Sequence, residues 1–329
     1  MVTKKICMVT GATLLLFICL AAKLYAEAVN DSANTETMDK PLAALKPENE
    51  PAQDYRQKLK ELVTEEKPAE EAPLEADAYY RFMPSRGVDA MSGKIGVTEV
   101  SHETSYEVKA FGNLPIEFSL ESSYLGLDNT TTIKFPGKLT GLSAGFEATL
   151  PFFKFDKTYF RFGAFPSFYT DNWNFCSSAF RIPNRYMVIH QPNDLWTFVL
   201  GIAVFPDFVD EVAPILGFIY KPNDRLLFNI IPMTPSVSYK LNDKLTVFCE
   251  GGSSSGEYEV TRDQYKNVRL EYKEFHLGSG LKYKINKYVN SSVAVGGMFN
   301  RQLRYDPDSL GKVNIGNGFY SEFRVEMKL

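Results

Sequence analysis

The stretch that decides the fold is the last one, Gly318-Phe-Tyr-Ser-Glu-Phe-Arg-Val-Glu-Met-Lys-Leu329. Taken every second residue, Phe319, Phe323, Val325, Met327 and Leu329 form one row, interrupted by Ser321. Tyr320, Glu322, Arg324, Glu326 and Lys328 form the other. Successive side chains of a β-strand point to opposite faces, so this is a strand with an oily face and a charged face. At the far end of the chain, Lys4 and Lys5 precede an apolar run from Ile6 to Ala22, followed by Leu24-Tyr25-Ala26. Basic residues, an apolar stretch and small residues at a cut site make a secretory signal, expected to span residues 1–26 and to be cleaved. The run falls short of the roughly 20 residues a spanning helix needs. Cys19 lacks the small residue before it that a lipid-anchored signal would carry.

An exported chain closing on an amphipathic strand resembles the bacterial outer-membrane β-barrels. The resemblance implies that Phe319, Phe323, Val325, Met327 and Leu329 face lipid. It also implies that the barrel-assembly machinery takes the chain by this C-terminal strand. Where that family usually ends on Phe or Trp, this chain ends on Leu329. The charged row of Glu322, Arg324, Glu326 and Lys328 is then the candidate lumen lining. Lys282 and Lys284 join it, because their neighbours Leu281, Tyr283 and Ile285 form an apolar row.

No other stretch can cross a bilayer as a helix. Leu195 to Phe205, the most apolar, is too short and ends at Pro206. A membrane protein of this sequence must span as a closed barrel, because only helices and barrels satisfy every backbone polar group in lipid. From Glu27 to about residue 78, Glu, Ala, Pro, Lys and Asn dominate and aromatics nearly vanish. Such a segment buries too little apolar surface to offset chain ordering, so a disordered acidic periplasmic linker is expected at 27–78. Leu59, Leu62 and Val63 mark a short helical pattern within it, a transient helix or a docking helix for cell wall or a periplasmic protein. Residues 79–329 have no second break in composition and are expected to form one all-β barrel. A net charge of −4 argues against nucleic acid as a partner. Cys176 and Cys249 are expected to be two unrelated thiols.

A recurring pentapeptide locates the turns. It reads His190-Gln-Pro-Asn-Asp194, Tyr220-Lys-Pro-Asn-Asp224, Tyr239-Lys-Leu-Asn-Asp243 and Tyr283-Lys-Ile-Asn-Lys287, with a looser Phe153-Lys-Phe-Asp-Lys157. Asn and Asp bond their own main chain and make tight turns, here at Asp156, Asn193, Asn223, Asn242 and Asn286. The preceding aromatic suits a membrane–water boundary, so the five are read as periplasmic turns on one rim. Hairpins in a soluble sandwich would explain the turns equally well and the flanking aromatics less well. Five turns with both termini on the same rim give about twelve strands. A sixth, at Phe111-Gly-Asn113, would make fourteen. Pro232 and Pro235 must form the opposite turn of the tightest interval. The other outer loops are expected at Asp128–Gly137, Thr170–Asn184, Val260–Asn267 and Arg301–Gly316. One strand breaks the alternation: the apolar residues Val268, Leu270 and Tyr272 give way to Phe275, Leu277, Leu281 and Tyr283. A one-residue slip flips every side chain, so a bulge or turn is expected near Glu274.

Phe205 to Gly252 is similar to a widespread, functionally uncharacterised family of outer-membrane barrel domains. The residues are Val212-Ala-Pro-Ile-Leu-Gly217-Phe-Ile-Tyr220-Lys-Pro-Asn-Asp224, Ile231-Pro232 and Ser238-Tyr239-Lys-Leu-Asn-Asp243. These motifs carry turns and packing and no catalytic residues. Of the three histidines, none sits in a zinc doublet, and no C-x-x-C occurs. His276 and Ser279, the nearest approach to a lipase pair, would point to opposite faces of one strand. No catalytic residue, metal or cofactor is expected. The sequence therefore specifies an antiparallel up-and-down transmembrane β-barrel of about 12–14 strands in outer-membrane lipid, and not an enzyme. The functional expectation is a narrow passive channel for small polar solutes. The alternatives are a non-conducting structural barrel tethered to periplasmic partners and a soluble periplasmic β-protein.

Overall fold

The computed structural model describes residues 74–329 except 90, 111–113, 153–154, 173–176, 207, 209–210, 233, 263–264 and 307–309. The expected signal peptide, residues 27–73 of the expected linker and Cys176 lie outside the described residues. Seventeen strand segments form one sheet that closes on itself where β1 (Leu74–Gly87) pairs antiparallel with β17 (Gly318–Lys328). The others are β2 (Lys94–Ala110), β3 (Leu114–Asn129), β4 (Lys138–Pro151), β5 (Thr158–Ala164), β6 (Ser167–Thr170), β7 (Phe180–Arg181) and β8 (Asn184–Asn193). They continue with β9 (Trp196–Val204), β10 (Val212–Tyr220), β11 (Leu226–Asn229), β12 (Ser236–Lys240), β13 (Leu245–Arg262), β14 (Tyr265–Lys284), β15 (Val289–Asp306) and β16 (Lys312–Ile315).

Three staves are interrupted. Pro166 separates β5 from β6 and Pro183 separates β7 from β8, because proline has no N–H for the ladder. Gly316-Asn317 separates β16 from β17. Joining these pairs gives a closed barrel of fourteen antiparallel staves. The sixth turn is thus present: Ala110 pairs with Leu114 across residues 111–113.

The pentapeptide turns lie on one rim with Leu74 and Leu329, whose backbones bond each other. In four of the turns a single Asn side-chain oxygen accepts two backbone N–H groups, those two and three residues on. Asn193 takes Leu195 and Trp196, Asn223 takes Arg225 and Leu226, Asn242 takes Lys244 and Leu245, and Asn286 takes Tyr288 and Val289, all at 2.8–3.1 Å. Asp156 differs: its backbone oxygen accepts the Thr158 hydroxyl at 3.2 Å. Two boundaries need correction. β1 begins at Leu74, so residues 74–78 belong to the barrel and not to the linker, held from both sides by β17 and β2. The expected loops at 260–267 and 301–316 are mostly strand: β13 and β14 stay paired to Arg262↔Tyr265, and β16 pairs with β15 from Arg301↔Ile315. In 301–316 the polar residues Gln302, Arg304, Lys312 and Asn314 mimic loop composition, but they stand on the outer face of strands that rise beyond the apolar belt.

The apolar residues change faces partway up the wall. On β14 the pairing with β13 is continuous from Leu245↔Tyr283 to Val260↔Val268, so β14 carries no bulge at Glu274; its register shift with β13 lies beyond, between Val260 and Arg262. Phe275, Leu277, Leu281 and Tyr283 are exposed on the outside, while Val268, Leu270 and Tyr272 are buried inside. The expected bulge is real but sits on the neighbouring strand. Lys273 pairs with Gln302 and Phe275 with Phe299, so Glu274 faces both Asn300 and Arg301 of β15. Asn300 takes φ 50°, a left-handed conformation that Asn tolerates. The same exchange occurs without a bulge on β2, where Ile95 and Val97 are buried and Val100 and Tyr106 exposed. On β3, Leu125 and Leu127 are buried while Phe118 and Leu120 are exposed. The turn half of the barrel is oily outside. The loop half is oily inside, like a soluble barrel.

Candidate functional site

The inward rows build three layers. Nearest the turn rim lies a cavity of about 490 Å³ whose ionisable walls are Glu75, Asp77, Glu103, Glu117, Glu326 and Lys328, five acids against one base. On the β3–β8 wall, Glu147 holds both Arg161 and Arg185, and Arg161 also bonds Glu117 at 2.5 Å.

The middle layer is an ion-pair network beside the seam. Arg81, on β1, reaches Glu322 at 2.7 Å, Glu99 at 3.1 Å and Glu274 at 3.7 Å. Arg324 bonds Glu322 at 2.8 Å and lies 3.8 Å from Glu250. Arg301 lies 3.9 Å from Glu274, and the Tyr79 hydroxyl donates to Glu99 at 2.8 Å. Tyr272 also donates to Glu274. Buried charges are tolerable only when paired this densely, and each partner removed leaves a stranded ion.

The third layer, toward the loops, is apolar. Met83, Ile95, Val97, Leu139, Leu270, Met298, Leu303 and Tyr305 are buried together, with Tyr258 and Tyr320 at the edge of the cluster. This core packs inside the wall of β1–β4 and β13–β17, above the ion pairs. A smaller patch of Val199, Ala203 and Ile215 lies inside β9 and β10. It agrees with the apolar character of both faces of 195–205.

The candidate lumen residues divide by height. Glu322 and Arg324 belong to the ion-pair layer; Glu326 accepts a bond from Lys282 Nζ at 2.7 Å just below. Lys328 pairs with Glu75 at the rim, and Lys284 is exposed there. The candidate lipid-facing residues share the outer face: Phe319 is 71 % exposed, Phe323, Met327 and Leu329 are exposed, and Val325 is half-buried. Inward of the same strand, Glu322 is 5 % exposed. His276 points inward and Ser279 is exposed on the opposite face. His190 bonds the Thr158 hydroxyl at 2.8 Å at the turn rim. Cys249 is a free thiol.

The sequence reading passed over Arg81, Glu99, Glu250, Glu274 and Arg301. Arg81 carried a signal: it is the one charge in Tyr79-Tyr-Arg-Phe-Met83, in the inward row with Tyr79 and Met83. Its pairing with Glu322, itself a lumen candidate, carried none, because the seam unites residues 241 positions apart.

A closed, up-and-down barrel with an apolar outer belt and an ionic interior defines the outer-membrane class of β-barrel. Within it, the chain belongs to DUF6268, a domain family of unknown function whose model matches residues 118–320. No curated protein matches in sequence. Among solved structures, the COG4313 outer membrane channel from Pseudomonas putida F1 is 10 % identical, over 81 % of this chain and 98 % of that one, with a TM-score of 0.43. A Pseudomonas aeruginosa FadL homologue is 10 % identical over 78 % and 90 %, with a TM-score of 0.45. The NanC porin is 12 % identical over 78 % and 100 %, with a TM-score of 0.39.

Proposed function

We propose that this protein is an integral outer-membrane barrel and a narrow passive conduit for small polar solutes, with a preference for cations. The outward belt of Phe, Leu, Val and Met on a sheet whose first and last strands pair supports placement in lipid, since closure at the seam leaves neither terminal strand with an open edge in hydrocarbon. The observation that carries the solute class is the vestibule at the turn rim, where five carboxylates line the cavity and three of them are paired, Glu75 with Lys328, Glu117 with Arg161 and Glu326 with Lys282. A cleft lined by one sign of charge concentrates the opposite ion. The apolar core narrows the axis from the side of β1–β4 and β13–β17, so a wider pathway requires that core to move. Planar-bilayer recording of the folded, full-length mature chain under a KCl gradient tests this. Small events with a cation-selective reversal potential are expected, and they should grow when Leu270→Ala and Leu303→Ala thin the core. An absence of current in both proteins removes the conduit.

The buried core favours a second reading, a non-conducting structural barrel whose N-terminal segment reaches the cell wall. Deleting residues 27–72, which leaves β1 whole, should then abolish pull-down of wall material.

A further inference from the structure

The wall of the barrel is not equally high all round. β13 runs 18 residues beside a β12 of only 5 and a β11 of only 4. On one edge β14 accompanies β13 from Leu245 to Val260. On the other, pairing with β12 stops at Ser236↔Glu250, extended by one bond from Gly251 N–H to the Pro235 carbonyl at 2.8 Å. Strand pairing on that edge resumes only at Glu259, which bridges Thr170 of β6 and accepts the Asp171 N–H at 3.1 Å. Across the gap, β10 is paired along its full length with β9. With β11 it pairs only at Ile219 and Tyr220, plus the Ile230 N–H to Phe218 carbonyl bond at 2.8 Å. The β11–β12 hairpin therefore turns early, at residues 230–235 with Pro232 and Pro235, and above it two staves are absent among the described residues. At its base the opening spans three inter-strand spacings, about 14 Å.

Three features say what the opening faces. Val212 and Leu216 on the β10 edge are outward and strongly exposed, Leu216 at 71 %, so the opening lies within the oily belt. The β13 edge is Gly251-Gly-Ser-Ser-Ser-Gly256, with no side chain large enough to bar it. Behind it is a cavity of about 390 Å³ lined by hydroxyls, including Thr234, Ser236, Ser238 and Ser254. Glu250 and Ser254 from the inward row of β13 and Gly251 and Ser253 from its outward row all line this one cavity. Both faces of a strand can border one space only where its edge is open.

The cavity also holds unmet hydrogen-bonding capacity. Glu250 Oε1, His276 Nδ1 and Arg324 Nε are buried there without a hydrogen-bond partner: an acceptor, a ring nitrogen and a donor. The full charges are already balanced, Arg324 by Glu322 and Lys282 by Glu326. A neutral group that both donates and accepts fits this wall better than an ion does.

We infer that the opening is a lateral portal between the barrel interior and the membrane, and that it admits a single-chain amphiphile with a neutral polyol head. The head occupies the hydroxyl-lined cavity and meets Glu250, His276 and Arg324. The chain leaves between Leu216 and Ser253 into hydrocarbon. This inference goes beyond the conduit above and does not require axial current.

The test uses full-length mature protein in vesicles, with Cys176→Ser and Cys249→Ser removing native thiols. Bimane is attached to Ser254→Cys, inward at the portal, or to Ser119→Cys, inward on β3 where both neighbouring strands are paired. The quencher is an alkyl maltoside brominated on its chain. Several-fold stronger quenching at 254 than at 119 is expected, and Ser253→Trp should suppress it. Equal quenching at the two positions overturns the portal even if Ser253→Trp fails to fold. Equal potency of a brominated fatty acid overturns the neutral head. Aqueous iodide, read at Ser119→Cys, reports separately on a wetted lumen, so the conduit and the portal can fail independently.

Discussion

Arg81 on the first strand bonds Glu322 on the last at 2.7 Å, with both side chains almost fully buried, and so pins the seam where the sheet becomes a barrel. The two residues are 241 positions apart, and their strands pair in register, Arg81 opposite Glu322. Glu99 and Glu274 complete the shell around the same guanidinium.

Arg81→Ala strands these carboxylates in the interior and should destabilise the barrel by about 3–5 kcal/mol. Arg81→Met with Glu322→Leu should cost less than Arg81→Ala alone, because one buried charge leaves with its partner. Urea unfolding in lipid vesicles, followed by loss of heat-modifiable gel migration, measures both. A double variant as weak as the single would contradict the pairing.

Asn300 should be the sensitive point of β15. Its left-handed backbone costs a residue with a β-carbon roughly 1 kcal/mol, so Asn300→Gly should preserve or raise stability and Asn300→Val should lower it. Deleting Asn300 removes the extra residue and leaves Arg301 alone opposite Glu274, so Phe299 stays outward and Leu303 and Tyr305 stay inward. That deletion should be tolerated, whereas deleting both Asn300 and Arg301 turns Leu303 and Tyr305 outward and should prevent the loop half from packing, seen as protease cleavage within 301–316 of otherwise membrane-inserted protein.

The oily belt sets a depth scale. Leu216→Arg or Val295→Arg, both outward and exposed, should cost about 2–4 kcal/mol near mid-bilayer. Gln302→Arg, outside the belt on the same strand as Val295, should cost little. Equal costs at Val295 and Gln302 would place the belt elsewhere.

Each Asn turn satisfies two N–H groups with one side-chain oxygen. Asn223→Ala should therefore lower stability by about 1 kcal/mol, and Asn223→Asp, which keeps the acceptor, should not. The same comparison at Asn242 checks that the repeat acts through its side chain rather than through its sequence context.

Alternation in 318–329 is a local property, because side-chain direction repeats every two residues whatever lies outside the strand. Asn turns are local too, since each bonds its own next residues. These two features made the strand type, the turn rim and a count of twelve to fourteen staves readable in the sequence. Face assignment is not local. The one-residue phase change at Glu274 demanded a slip, but the same pattern fits a bulge in β14 or a straight β14 whose oily residues move inside. The pairing of β14 with β13 and β15 decided it: β14 is straight at Glu274, and the extra residue is Asn300 next door.

The sequence by itself determined that this chain alternates, turns on asparagine and must close its sheet to live in lipid. The tertiary structure alone decided which charges meet at Arg81, where the oily rows pass from outside to inside, and which staves are too short to finish the wall. The physical reason is that periodicity fixes directions along one strand. What covers each face, whether hydrocarbon, water or another row of side chains, depends on neighbours hundreds of residues away.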